Sequence, residues 1–226
     1  MNGMIIAIEG IDGSGKHTQS KLLAELLSKD GHDVFLVGFP RYQATFFGKQ
    51  VANYLNGVFG SLDEVDPRLA SMLYAGDRFE TKEVILENLS KGKVIVIDRY
   101  TSSNIAHQSA KVAEESRDSL MSWIQELEHT VFGLPKPDLN ILLSLTTKSA
   151  STLVLNKSAR EYTDLKKDIH EQDDLYLEKV SNVYKELARQ DGWITINCNN
   201  SVEIRNISDI SNEIYQKVSL FIGDNK

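Results

Sequence analysis

The stretch Met4-Ile5-Ile6-Ala7-Ile8-Glu9-Gly10-Ile11-Asp12-Gly13-Ser14-Gly15-Lys16 decides the fold. Residues 4–9 are short and continuously apolar up to a final acid, the pattern of a strand buried on both faces of a parallel sheet. Residues 10–16 match G-x-x-x-x-G-K, and from Thr18 onward Leu22, Leu23, Leu26 and Leu27 recur at helical spacing until Gly31, placed to stop the helix. Between strand and helix, such glycines let successive backbone N–H groups converge on phosphate oxygens, and the helix N-terminus near Lys16 adds positive dipole. The Lys16 ammonium is placed to neutralise charge between the β- and γ-phosphates of a nucleoside triphosphate. Gly10, Ile11, Asp12, Gly13, Ser14, Gly15, Lys16, His17 and Thr18 are therefore the expected ATP contacts.

Outward from this unit, apolar runs predict further strands at 33–38, 93–98, 139–145 and 193–197. Helical patterns fall between and after them at 47–56, 67–89, 118–132, 171–190 and 207–221. Strands alternating with helices of this length predict an α/β fold: a parallel five-stranded sheet flanked by helices, the P-loop NTPase architecture. Residues 156–168 are polar and mixed in charge, lie between a helix and the helix at 171–190, and read either as a lid segment or as an ordinary surface connection. With no internal repeat, low-complexity tract or Gly/Ser linker, residues 1–226 read as a single domain.

Composition narrows the function classes. The 226 residues carry 25 Lys plus Arg against 32 Asp plus Glu, a net charge of −7, which disfavours general nucleic-acid binding by counterion release. Any bound anion must be gripped locally. The longest apolar runs fall far short of the roughly 18–20 residues that span a bilayer, and no secretory signal is readable, so no membrane association is expected. A lone Cys198 cannot form an internal disulfide and agrees with a cytoplasmic location.

One residue departs from the phosphate-loop pattern. Ser or Thr normally follows the lysine and binds Mg2+ through its hydroxyl, but here the position holds His17, and Thr18 lies about 100° further round the helix. Mg2+ prefers oxygen ligands, so the nucleotide, water and the carboxylates of Asp12 and Asp98 are expected to hold it. Asp98-Arg99-Tyr100 follows a buried strand, where open α/β sheets bind ligands. There Arg99 suits a clamp on phosphoryl oxygens, although a structural ion pair uses the same residues. Phe39-Pro40-Arg41-Tyr42 follows another strand, and Tyr74-Ala75-Gly76-Asp77-Arg78 falls within a predicted helix. Aromatic and arginine pairs at three places suit an acceptor with a flat base and a phosphate; Phe39 and Tyr74 also suit a core.

Together these residues resemble the thymidylate kinases, nearly end to end. The resemblance rests on residues 9–16, on Phe39-Pro40-Arg41-Tyr42, on Tyr54-Leu55-Asn56-Gly57 and on Ala75-Gly76-Asp77-Arg78. It continues through Asp98-Arg99-Tyr100 with Ser103-Asn104, Gly133-Leu134-Pro135-Lys136-Pro137-Asp138-Leu139 and Asp168-Ile169-His170-Glu171. It implies Mg2+-dependent phosphoryl transfer from ATP to dTMP, giving ADP and dTDP for dTTP synthesis, by a homodimer. Tyr74 takes the place of the ring that stacks on thymine, Arg78 that of the arginine reading a base carbonyl, and Asn104 that of a residue facing the base N3 edge. Phe39 and Ser103 belong to the same acceptor set. Arg41, Tyr42 and Arg99 fall where the acceptor phosphate is held, and Asp12 matches the loop acid near the sugar or the metal.

Lys16, Arg99, Arg160 and Asp12 are the implied catalytic set. With no arginine in the phosphate loop, Arg160 in the lid is the first choice for the family's catalytic arginine, with Lys157, Lys166 and Lys167 as alternatives. Asp168 and Glu171 border the lid, and Glu171 joins Asp12 and Asp98 as a metal candidate, directly or through water. His107 stands where many members carry a tyrosine near the deoxyribose, with Tyr100 contributing there, and Ser144 stands where an acid is often found. A related P-loop kinase for another nucleoside or monophosphate, and a nucleotide-binding module without catalysis, are the competing readings.

Overall fold

The computed structural model describes residues 3–155, 174–200 and 203–224. Five parallel strands, β1 (Met4–Glu9), β2 (Val34–Gly38), β3 (Val94–Asp98), β4 (Leu139–Ser144) and β5 (Trp193–Asn197), form a sheet in the order β2-β3-β1-β4-β5. This is the parallel five-stranded arrangement that the sequence predicts. All six residues of β1 are buried because the strand is central and both faces are covered. Ile6 and Ile8 join Val94 and Val96 in one core with Leu23, Leu27, Ile214 and Val218. Ile5 and Ala7 join Ile95 and Ile97 in another with Ile85, Phe39 and Tyr100. Strand alternation thus feeds two cores from one apolar run, and each large aliphatic side chain so buried stabilises the fold by about 1.5–3 kcal/mol.

Eight α-helices surround the sheet among the described residues: α1 (Lys16–Lys29), α2 (Phe46–Leu55), α3 (Pro67–Ser90), α4 (Thr101–Ser109), α5 (Glu114–Gln125), α6 (Thr147–Leu155), α7 (Asp174–Leu187) and α8 (Ile207–Asp224). Their starts follow from local chemistry. Thr45 caps α2 by accepting from the Gly48 amide, and Asp66 caps α3 by accepting from the Arg68 amide, with Pro67 at the first helical position. The helix expected at 118–132 begins earlier, as α5, and passes into a π-helical segment, Glu126–Val131. A small antiparallel ribbon, β6 (Asn199–Asn200) with β7 (Glu203–Ile204), and helix α4 have no counterpart among the expected elements. All nine residues of α4 are buried, so it has no polar face opposite an apolar one and leaves no periodic signal.

Gly38 and Ile8 both pair with Asp98, so the carboxyl ends of β1, β2 and β3 stand side by side beneath the glycine loop. On the far side of α4, Lys111 ties the segment between α2 and α3 to the body of the protein. Its ammonium donates to the Val65 carbonyl at 2.7 Å and lies 5.6 Å from the centre of the Tyr54 ring. Burial pulls the Lys111 pKa from its ordinary 10.5 to about 8, against the opposing pull of Asp63 and Asp66. Between those values the unfolded chain binds a proton that the folded chain does not, so Lys111 makes stability rise with pH from about 8 to 10.5. In urea unfolding followed across this window, Lys111→Met is expected to show a shallower rise than the parent; parallel profiles would remove this assignment.

Candidate active site

Left-handed backbone at Gly10 (φ 143°), Gly13 (φ 83°) and Gly15 (φ 89°) shapes the loop between β1 and α1. A Cβ on Gly10 would meet the Leu143 carbonyl oxygen and Ser14 Oγ at 2.8 Å, so both conformation and space demand glycine there. Gly15 caps α1 without a side-chain hydrogen bond, which leaves the end of the helix to its own amides, as an anion site requires. Lys16 is buried, and its Nζ donates to the carbonyls of Gly10 at 2.8 Å and Ile11 at 2.7 Å, curling back over the loop. His17 and Thr18 are exposed on the first turn of α1.

The end of β3 faces this loop. Asp98 Oδ2 lies 3.3 Å from His17 Nδ1, so the residue replacing the usual hydroxyl is drawn to the strand-end carboxylate. Arg99 adopts φ 66°, uncommon for a residue with a side chain, and forms an ion pair with Asp12. Its amide donates to the Ile8 carbonyl at 3.0 Å, and the next amide, of Tyr100, donates to Glu9 Oε1 at 2.9 Å, so the turn is held from both sides. Glu9 also accepts from Ser103 Oγ at 2.6 Å and Tyr184 OH at 3.0 Å. Burial pushes the Glu9 carboxyl above its usual range even though these three donors oppose the shift. Burial alone would lower the Arg99 pKa, but the Asp12 carboxylate together with Tyr184, Asp98 and Tyr42 outweighs it and raises it, keeping the guanidinium charged.

A cavity opens from Asp12 and Arg99 and runs between β2, α3 and α4. Its walls include Phe39, Tyr42 and Tyr74, then Arg78, Ser103, Asn104 and His107, with Pro40 and Leu55 as apolar additions. Tyr74 is braced edge-on by the buried Tyr54, with centroids 6.3 Å apart at 89°. At the inner end, Arg78 is 1% exposed and its fork grips Glu128, itself 0% exposed, at 2.6 Å and 2.5 Å. Burial disfavours the Arg78 charge, but Glu128, with Asp77 and Tyr100, more than compensates and raises its pKa. His107 Nδ1 lies 3.2 Å from the Tyr176 hydroxyl, which donates to the His107 carbonyl.

Two of the expected substrate contacts, Tyr100 and Arg41, are not among the residues that line this cavity. The Tyr100 ring is fully buried, and its hydroxyl donates to the Pro135 carbonyl at 2.9 Å; it supports the cavity from beneath and does not line it. Arg41 also lies outside the cavity wall: its Nη1 donates to Thr81 Oγ1 at 3.2 Å, and its amide donates to Asp77. Residues 156–173, with Arg160, Glu171, Lys157, Lys166, Lys167 and Asp168, lie outside the described residues.

Three buried acids that organise the site escape the sequence reading. Glu9 enters the sequence reading as the end of a strand and the first residue of the 9–16 motif, with no role of its own. Asp77 accepts from Thr45 Oγ1 at 2.5 Å and from the Arg41 amide at 2.8 Å, fixing the segment after β2 to α3. Glu128 has a legible signal, since Leu120, Ile124 and Glu128 are four apart and place an acid on a buried helical stripe.

Mg2+ finds an oxygen donor of the right kind in Asp98, half-buried at the end of β3, whereas the neighbouring His17 nitrogen does not suit it. Asp12 is committed to Arg99, and the described residues contain no group of three His, Cys, Asp or Glu side chains able to hold a metal. The described residues therefore fit an ion carried in on phosphate and water with the Asp98 carboxylate beside it.

A glycine loop and helix start for a polyphosphate, a strand-end arginine, and an aromatic cavity opening onto both define a P-loop kinase acting on a small nucleotide. A family model described as thymidylate kinase matches residues 8–208. Thymidylate kinase of Mycobacterium tuberculosis (strain ATCC 25618 / H37Rv) is 34% identical over 191 residues, 84% of this chain and 87% of that one. Thymidylate kinase of Schizosaccharomyces pombe is 30% identical over 219 residues, 96% and 92% of the two chains. A structure of thymidylate kinase from Candida albicans shares the fold, with a TM-score of 0.74 at 23% identity over 97% of this chain and 92% of that one. The chain belongs to the thymidylate kinase family and is a nucleoside monophosphate kinase.

Proposed function

We propose that the phosphate loop holds ATP and the cavity holds dTMP, with the acceptor phosphate at Arg99 and the base at the Arg78 and Asn104 end. The reaction is ATP-dependent phosphorylation of dTMP to dTDP. The observation that carries the assignment is the continuity of the cavity, whose wall joins Asp12 and Arg99 beside the loop to Tyr74, Arg78 and Asn104 at the far end. A flat ring seated on Tyr74 between Arg78 and the loop points a 5′ substituent toward Arg99.

A phosphate monoester loses its second proton near pH 6, so the acceptor is already anionic at neutral pH and needs no strong general base. What remains is positioning and charge stabilisation. Lys16 leaves the loop carbonyls for the phosphates of ATP. Arg99 gives up part of its contact with Asp12 to grip oxygens of the group in flight, and Tyr42 helps to hold the acceptor phosphate. Phe39 and Tyr74 sandwich the base region, and His107, steadied by Tyr176, borders the sugar. Mg2+, when bound beside Asp98, neutralises phosphate charge. Arg160 supplies a further cation from the lid, and Glu171 is assigned to the border of the metal. Pairing of two chains is part of the same reading, supported by Leu69, Met72 and Phe79, which stay exposed along α3. A cytoplasmic site of action is supported by Cys198, a buried free thiol.

Release of ADP should be measured with dTMP, dUMP, dCMP, dGMP and thymidine as acceptors. dTMP is expected to exceed dCMP, dGMP and thymidine in kcat/KM by at least about tenfold, equivalent to about 1.4 kcal/mol of discrimination. Equal use of thymidine would turn the assignment toward a nucleoside kinase, and ATP binding without ADP release on any acceptor would turn it toward a non-catalytic module.

A further inference from the structure

Glu128 touches the two side chains at the base end of the cavity without lining the cavity itself. It sits in the π-helical segment, whose wider turn carries the acid into the interior between α3 and α4. Its Oε2 accepts from Arg78 Nε at 2.6 Å, and its Oε1 accepts from Arg78 Nη2 at 2.5 Å and from Asn104 Nδ2 at 2.7 Å. Asn104 Nδ2 also donates to the Ser71 carbonyl at 3.1 Å.

A carboxylate ion-paired with arginine and a backbone carbonyl are both acceptors only. The amide of Asn104 therefore has one orientation, with its nitrogen toward Glu128 and Ser71 and Oδ1 turned away from them. That Oδ1 is buried and has no hydrogen-bond partner, on a side chain that forms part of the cavity wall. A buried acceptor left in this state is unfavourable until a donor arrives. Alongside it, Arg78 is locked by its fork and contributes only donors.

We infer that Glu128 is the positioning residue that determines which base the cavity accepts, because it forces an acceptor on Asn104 and a donor on Arg78 to stand next to each other. This rests on the cavity being the dTMP site and adds the reason for its preference. The complementary ligand edge is a ring N–H beside a ring carbonyl. Thymine and uracil present N3–H beside O4, whereas cytosine presents a bare N3 beside an amino group and mispairs at both points. In Glu128→Gln the new amide nitrogen must face a donor of Arg78 or of Asn104. With that nitrogen on the Asn104 side, the Asn104 amide turns over to accept from it, giving up its bond to the Ser71 carbonyl and presenting Nδ2 to the cavity, which favours cytosine at N3. Glu128→Asp remains an acceptor only and cannot drive that reversal.

The test measures binding of dTMP and dCMP by calorimetry, and turnover at saturating ATP, for the parent, Glu128→Gln and Glu128→Asp, with a thermal melt to confirm folding. In Glu128→Gln the dTMP to dCMP ratio is expected to fall at least about tenfold, with KM for dTMP rising and KM for ATP unchanged; a tenfold change corresponds to about 1.4 kcal/mol. Glu128→Asp is expected to keep the ratio within about threefold of the parent even if both ligands bind more weakly. A folded Glu128→Gln with the parental ratio overturns the inference. So does a Glu128→Asp that loses the ratio, and this second result decides the matter if Glu128→Gln does not fold. A parent that binds dTMP but never phosphorylates it would overturn the reaction assignment instead, leaving the binding ratios to judge Glu128.

Discussion

Arg99→Ala is expected to lower kcat by about 10²–10³-fold, the usual consequence of deleting a preorganised group aimed at transition-state charge. Arg99 follows β3 in a left-handed turn held by Ile8 and Glu9, so its guanidinium projects beside the phosphate loop and pairs with Asp12. Alanine also carries a Cβ, so the strained φ is retained and the backbone has no new reason to move. Asp12 loses its contact with Arg99, but its side chain is 19% exposed and can be hydrated, which limits the effect on folding. Arg99→Lys keeps charge without the planar fork and should fall between alanine and the parent. Steady-state ADP release at saturating ATP and dTMP, paired with a melt, reads both effects. Turnover of Arg99→Ala within tenfold of the parent would discard the role.

Arg78→Ala should damage stability as much as activity. Arg78 and Glu128 are both buried, and removing one member of such a pair leaves an uncompensated charge, at a cost of about 3–5 kcal/mol. For a chain of this size the melting temperature should fall by roughly 10 °C. Replacing both, as Arg78→Met with Glu128→Leu, removes the stranded charge and should recover most of the loss. It should not recover dTMP use, because the donor at the base end is gone and the Asn104 amide has lost its bond to Glu128. A single variant that melts with the parent, or a double variant that phosphorylates dTMP normally, would contradict this account.

The phosphate loop and its sheet were legible because their signals are local. A six-residue apolar run, glycines at fixed offsets and leucines at helical spacing each act within a few residues of themselves. The strand-end pair Asp98-Arg99 was legible for the same reason, although its partners were not. His17 meets Asp98, and Asp12 meets Arg99, only because β1 and β3 are paired in register. Tyr100 shows the opposite case: an aromatic beside the site in sequence is turned beneath it by the backbone and spends its hydroxyl on Pro135.

Helix α4 marks the limit of periodicity. Thr101, Ser102, Ser103 and Asn104 carry no apolar periodicity, yet they are buried, because the helix is surrounded by α3, α5 and α7 and its polar groups serve the cavity and Glu9. By itself the chain's order of residues determined the parallel sheet, the anion loop and the types of side chain available for a nucleotide acceptor, since each depends on neighbours along the backbone. Only the tertiary structure decided which acid holds which base. Hydrogen bonds and ion pairs act over a few ångströms in space, and Glu128 reaches Arg78 across 50 positions and Asn104 across 24.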